Sequence, residues 1–147
     1  MLIHGPTRSD NGALDYYGTF KVTGGLLVAA GSAGMAQAPS TSSTVNSVLM
    51  TFTTPQPAGT LFHIAAASGG DVLTFAPAKV YQSVVVASPL LENGSTYAIY
   101  VGGRSIGTAT DGLYSGGSYT PGTEVARFTV AGSVTYAGAS RVRPPGW

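Results

Sequence analysis

The sequence predicts an all-β protein, with terminal coils of a parallel β-helix followed by an antiparallel β-sheet or sandwich. Three observations carry that expectation. Short apolar or alternating segments recur between glycine corners, Gly and Ser/Thr are abundant, and no stretch of a dozen residues keeps a 3.6-residue apolar period. A strand buries every second side chain, so alternation bounded by turn residues is its signature.

The clearest segment is Asn11 to Gly31, NGALDYYGTFKVTGGLLVAAG. Thr19-Phe20-Lys21-Val22-Thr23 alternates, Gly24-Gly25 makes a corner, and Leu26 to Ala30 resumes as an apolar strand. Strand, glycine corner and strand is how a solenoid climbs, so residues 1–34 are expected to form β-helix-like coils. Solenoids present long flat faces that suit polymers. Residues 35–46 (MAQAPSTSSTVN from Met35) lack hydrophobic period and read as a surface connector. From residue 47 to 139 strands alternate with turns, at 47–53, 60–66, 72–75, 82–88, 96–101, 124–130 and 133–136. Pro55-Gln56-Pro57-Ala58-Gly59 and Glu92-Asn93-Gly94-Ser95 are strong turns, and Gly102-Gly103 and Gly116-Gly117 bracket a loop-rich excursion. The tail, 140–147, differs in character and reads as a frayed or cloning-derived end. One compact domain is expected from 147 residues.

Composition narrows the function classes. Only 9% of residues are charged, against the usual quarter, and the net charge is +1. That leaves no basic patch for nucleic acid. Without cysteine there are no disulfides, thiolate zinc sites or thiol nucleophiles. No apolar run approaches the roughly 20 residues of a spanning helix. Met1-Leu2-Ile3-His4-Gly5-Pro6 lacks the basic start and apolar stretch of a signal peptide. The expectation is therefore a fragment of a secreted or cell-surface protein with its export signal upstream.

Several segments carry a resemblance. Gly5-Pro6-Thr7, then NGALDYYGTFKVTGGLLVAAGSAGMAQAP, then Ala78-Lys79-Val80-Tyr81-Gln82-Ser83-Val84-Val85-Val86-Ala87-Ser88-Pro89, then Gly107-Thr108-Ala109-Thr110-Asp111-Gly112-Leu113-Tyr114 resemble the C-terminal portion of bacterial carbohydrate-binding-domain-containing proteins. The resemblance spans roughly residues 3 to 136. It implies a secreted or surface-attached right-handed β-helix, similar in fold to pectate lyases, that binds cellulose and acidic pectin polymers.

Two pentapeptides invite a catalytic reading. Gly103-Arg104-Ser105-Ile106-Gly107 satisfies G-x-S-x-G, and Ala30-Gly31-Ser32-Ala33-Gly34 satisfies its A-x-S-x-G variant. A nucleophile elbow needs a following helix to expose the serine. Ser105 is instead followed by Thr108-Ala109-Thr110-Asp111-Gly112, a loop pattern, so glycine-rich turns account for both matches. A Ser105–His63–Asp111 triad is still the alternative, with Asp71 or Glu124 as other residues able to orient His63. His63 alternates with Phe62 and Ile64, which also suits a half-buried histidine with one hydrogen bond.

Asp10, Asn11 and Asp15 cluster oxygen donors around a turn and are the candidate Ca²⁺ ligands, with a local Asx-turn as the alternative. A lyase would add a proton-abstracting base, for which Lys21 and Arg104 are available. No carboxylate pair stands out for glycosidase chemistry. Tyrosines are the stronger lead, because a Tyr ring stacks on sugar while its hydroxyl stays wet. Tyr114 and Tyr119, in a Gly/Ser loop, are the expected exposed pair, with Tyr16, Tyr17 and Arg104 as further binding residues. Tyr97 and Tyr100 have opposite parity, so one faces inward.

The sequence therefore favours a non-catalytic polysaccharide-binding module. A small serine esterase is the enzymatic alternative, and a structural adhesin segment the third. An open solenoid end would leave strand edges unpaired, from which a homo-oligomer through residues 1–34 is expected.

Overall fold

The structure is a computed structural model and describes residues 2–4, 26–31, 44–110, 112–115, 119–120 and 122–138. The strands run β1 (Leu2–His4), β2 (Leu27–Gly31), β3 (Ser47–Gln56), β4 (Phe62–Ala66), β5 (Asp71–Phe75), β6 (Tyr81–Ala87) and β7 (Thr96–Val101). They continue as β8 (Arg104–Ser105), β9 (Thr108–Thr110), β10 (Leu113–Ser115), β11 (Tyr119–Thr120), β12 (Thr123–Thr129) and β13 (Val134–Gly138). No helix occurs among the described residues, and none is long and apolar enough to cross a membrane.

Two sheets share one core. The first has the order β1-β2-β6-β3-β13 and the second β12-β7-β4-β5-β10-β9, with β8 and β11 forming a separate ribbon. The inward parity of the first sheet supplies Val28, Val48, Met50, Phe52, Val84 and Val86. The second sheet answers with Phe62, Ile64, Leu73, Phe75, Ile99 and Phe128. Phe52 bridges the layers, edge-on to Phe62 at 6.3 Å and to Tyr81 at 5.7 Å. Tyr97, near the start of β7, is buried against Phe128 and forms a tyrosine corner. Its hydroxyl donates to Leu90 O and accepts from Glu92 N, both at 2.8 Å.

The sequence distinguishes the two sheets. The inner strands of the first read as continuous apolar runs, and β2, β6 and the first half of β3 are buried on both parities: Leu27, Ala29, Leu49 and Val85 of the opposite parity are as inaccessible as Val28 and Val48. Strands of the second alternate, because their outer face meets solvent and the ribbon.

The β-helix expectation needs correction. The described residues show no β-helix; those of segment 1–34 are β1 and β2, two strands of the first sheet. β1 pairs with β2 in parallel, and β2 pairs with β6 in antiparallel register from Leu27↔Ala87 to Gly31↔Ser83. The apolar run at Leu26 to Ala30 thus makes an inner strand, flanked by β1 and β6, with β1 at the edge of the sheet; the solenoid end on which the expectation of a homo-oligomer rests is not shown among the described residues. The run is strand-like, but a local pattern cannot say which strand it pairs with, and β6 lies over fifty residues away. The remainder of 5–25 and 32–43 lies outside the described residues. The antiparallel expectation also needs one amendment, since β13 joins β3 in parallel, from Val134↔Ser47 to Gly138↔Thr51.

The outer strand β12 carries a bulge between Glu124 and Ala126 where it pairs with β7. The bulge brings Glu124 and Arg127 to one face, where Arg127 Nε lies 2.8 Å from Glu124 Oε2.

Phe62 is fully buried at the centre of the second sheet. Phe62→Ala is expected to destabilise the fold by about 3–5 kcal/mol, measured as a fall in the midpoint of chemical denaturation.

Candidate functional site

β4 sets the site. Its alternation sends Phe62 and Ile64 inward and His63 outward, yet His63 is only 2% exposed. A buried imidazole must find partners for both nitrogens, and two come from β5. Thr74 faces His63 in register, with its Oγ1 2.7 Å from Nδ1. Asp71 Oδ1 lies 3.3 Å from Nε2. Regular alternation would send Thr74 outward and Asp71 inward. The register shift between Ile64↔Leu73 and Ala65↔Asp71 adds one residue to β5 and turns Asp71 onto the same outer face as Thr74. Because a carboxylate can only accept, Nε2 carries the imidazole proton and Nδ1 accepts from the Thr74 hydroxyl.

The ribbon covers this group. Tyr119 of β11 stacks on His63 with ring centroids 3.8 Å apart and planes 10° from parallel, and Tyr100 of β7 tilts against both rings. The Tyr119 hydroxyl donates to Gly102 O at 2.7 Å and accepts from Gly122 N at 3.2 Å. It therefore ties the entrance of the excursion to its exit. Glycine is required where those ends pass: a Cβ on Gly122 would sit 2.2 Å from Val101 O and 2.6 Å from Gly103 N. Burial holds the Tyr119 phenol above its usual range, opposed by the Gly122 N–H and reinforced by Tyr100.

Between ribbon and sheet lies a cleft of about 170 Å³, whose walls include Asp71, Thr74, Ser105, Tyr114 and Tyr119. Ser105 is brought there because β8 pairs with β11, opposite Tyr119. Tyr114 comes from β10, which pairs with β5 through Leu113↔Phe75. The cleft is smaller than the roughly 300–1,000 Å³ of a site that encloses a drug-sized ligand, and it suits one ring or a chain end. A larger groove, about 540 Å³, runs beside β3, β12 and Gly138. Its charged group, Arg127, is already paired with Glu124.

The residues predicted from sequence fall into three groups. Tyr114, Tyr119 and Ser105 converge on the cleft, although both tyrosines are half-buried where full exposure was expected. Arg104 is exposed on β8, opposite Thr120. His63 lies beneath the cleft and Asp71 at its wall, but neither imidazole nitrogen addresses Ser105. Ser105 Oγ instead accepts from Gly107 N at 3.2 Å, a local turn that explains the G-x-S-x-G spacing without chemistry. Asp111, Ser32, Lys21, Tyr16, Tyr17, Asp10, Asn11 and Asp15 lie outside the described residues. Among the described residues no group of three or more His, Asp or Glu side chains could hold a metal ion. Thr74 was missed, although the turn at Gly69-Gly70 offered a signal, since a hairpin closed there sets β5 against β4.

Comparison of the chain with protein-family models, with curated proteins and with solved structures gave no match.

Burial pushes the His63 pKa below 6.5, and the Asp71 charge and hydrogen bond oppose that shift without reversing it. The unfolded chain therefore takes up a proton near pH 6.5 before the folded chain does. Stability from neutral His63 is full above pH 6.5 and is lost as the pH falls towards the lower folded value. Thermal unfolding followed across acidic pH should show this decline, and His63→Gln should flatten it.

Proposed function

We propose that the chain is a non-catalytic carbohydrate-binding module of a secreted or cell-surface protein, with plant cell-wall polysaccharide as its ligand. The observation that carries the reading is the convergence of Tyr114, Ser105, Thr74, Asp71 and Tyr119 on one polar cleft at the outer face of a sheet. Hydroxyls and a carboxylate match the hydroxyl groups of a sugar, and a half-exposed tyrosine supplies an apolar face for its ring. The sequence resemblance and the Gly/Ser/Thr-rich, weakly charged composition point the same way. The cleft's size favours one residue of a polymer over an enclosed small molecule.

Ester hydrolysis through Ser105 is disfavoured, since His63 is engaged by Thr74 and Asp71 and offers Ser105 no free nitrogen among the described residues. The protein is expected to leave p-nitrophenyl esters intact.

Retention on insoluble cellulose and on pectin tests the reading. The wild-type chain should be retained on at least one polymer, and Tyr114→Ala should weaken that retention about tenfold, as loss of one aromatic contact implies. Retention unchanged in both Tyr114→Ala and Ser105→Ala would move the binding face elsewhere.

A further inference from the structure

The cleft has an unbalanced hydrogen-bonding inventory. Asp71 contributes acceptors alone; with Oδ1 turned to His63 Nε2, its second oxygen is open to a ligand. Its side chain is 62% exposed, so a ligand reaches it without rearrangement. The Thr74 hydroxyl proton is committed to His63 Nδ1, which leaves the Thr74 oxygen presenting lone pairs. The Tyr119 hydroxyl is used in both directions by Gly102 and Gly122. Ser105 accepts from Gly107 and has its proton left to give. Tyr114 adds a hydroxyl able to donate or accept; the one charged group among the described lining residues, Asp71, offers acceptors alone, and the ligand atom it awaits is a hydroxyl proton.

The charge is equally one-sided. Asp71 carries a negative charge, and among the described residues no Lys or Arg lines the cleft. His63, beneath the cleft and flanked by the rings of Tyr100 and Tyr119, is buried and already spends its proton on Asp71, and Arg104, exposed on β8 beside Ser105, is not among the lining residues. Among the described lining residues, what is left to meet a second carboxylate is the uncharged hydroxyls of Ser105 and Tyr114, with no positive charge beside them.

We infer that the cleft admits an uncharged saccharide and turns away uronates, with Asp71 as the specificity-determining residue and His63 as the residue that positions it. This rests on the carbohydrate-binding reading and divides the two polymer classes which that reading leaves together. A neutral sugar donates a hydroxyl to the open Asp71 oxygen. A uronate carboxylate has no proton to give and meets like charge.

Calorimetric titration with a cello-oligosaccharide and with an oligogalacturonate tests it, at low and at high salt. The wild-type chain should bind the neutral ligand more tightly, and its weaker uronate binding should improve as salt screens the repulsion. Asp71→Asn should narrow the neutral-to-uronate ratio about three- to fivefold, the scale of one partly exposed charge pair. Glu92→Gln, a carboxylate away from the cleft, should leave the ratio unchanged. Equal affinity for the two ligands in the wild type, or a ratio unmoved by Asp71→Asn, overturns the inference while leaving carbohydrate binding intact. Absence of binding to either ligand overturns both. Should Asp71→Asn lose both ligands, the wild-type salt response decides: uronate binding that weakens with salt sinks the inference.

Discussion

A buried imidazole on the outer face of a sheet is the constraint around which the rest of this surface is arranged. β4 places His63 outward, where an unaccompanied side chain would meet water on one side and strand neighbours on the other. Thr74 and Asp71 satisfy its nitrogens, and Tyr119 covers its ring. Each of those partners has a second role. Thr74 and Asp71 wall the cleft, and Tyr119 both walls it and fastens the excursion to the sheet through Gly102 and Gly122. The bulge in β5 belongs to the same scheme, because without it Asp71 would point into the apolar core.

Legibility in the sequence followed the range of the interactions. Strands governed by local alternation and turn chemistry were readable: β3, β4, β5, β6, β7 and β12 fall on expected segments, within a residue or two at most ends, and β7 falls on 96–101 as expected. Their partners were not readable. The Leu26 to Ala30 run looks the same whether it climbs a solenoid or sits between β1 and β6, because both environments bury a short apolar strand. Tyr97 and Tyr100 were separable by parity, and Tyr97 is the inward one.

The excursion between Gly102 and Gly122 shows the other limit. Its glycines and serines read as loop, yet it supplies β8, β9, β10 and β11. These strands are two or three residues long, too short to display a period. They exist because β9 and β10 extend the second sheet beside β5, and because Tyr119 has a ring to stack on. Ser105 owes its place to the same long-range pairing. The pentapeptide around it has the spacing of a nucleophile motif, whereas its serine closes a turn onto Gly107.

The outer strand β12 has a consequence for assembly. Sheet borders tend to recruit further strands, and natural proteins blunt them with charge and with irregular backbone. β12 has both, a bulge at Val125 and the Glu124–Arg127 pair beside it. An extended chain seeking to lengthen the second sheet would find its register broken between Glu124 and Ala126 and an ion pair in its path. Along β12, growth by templated strand addition is discouraged.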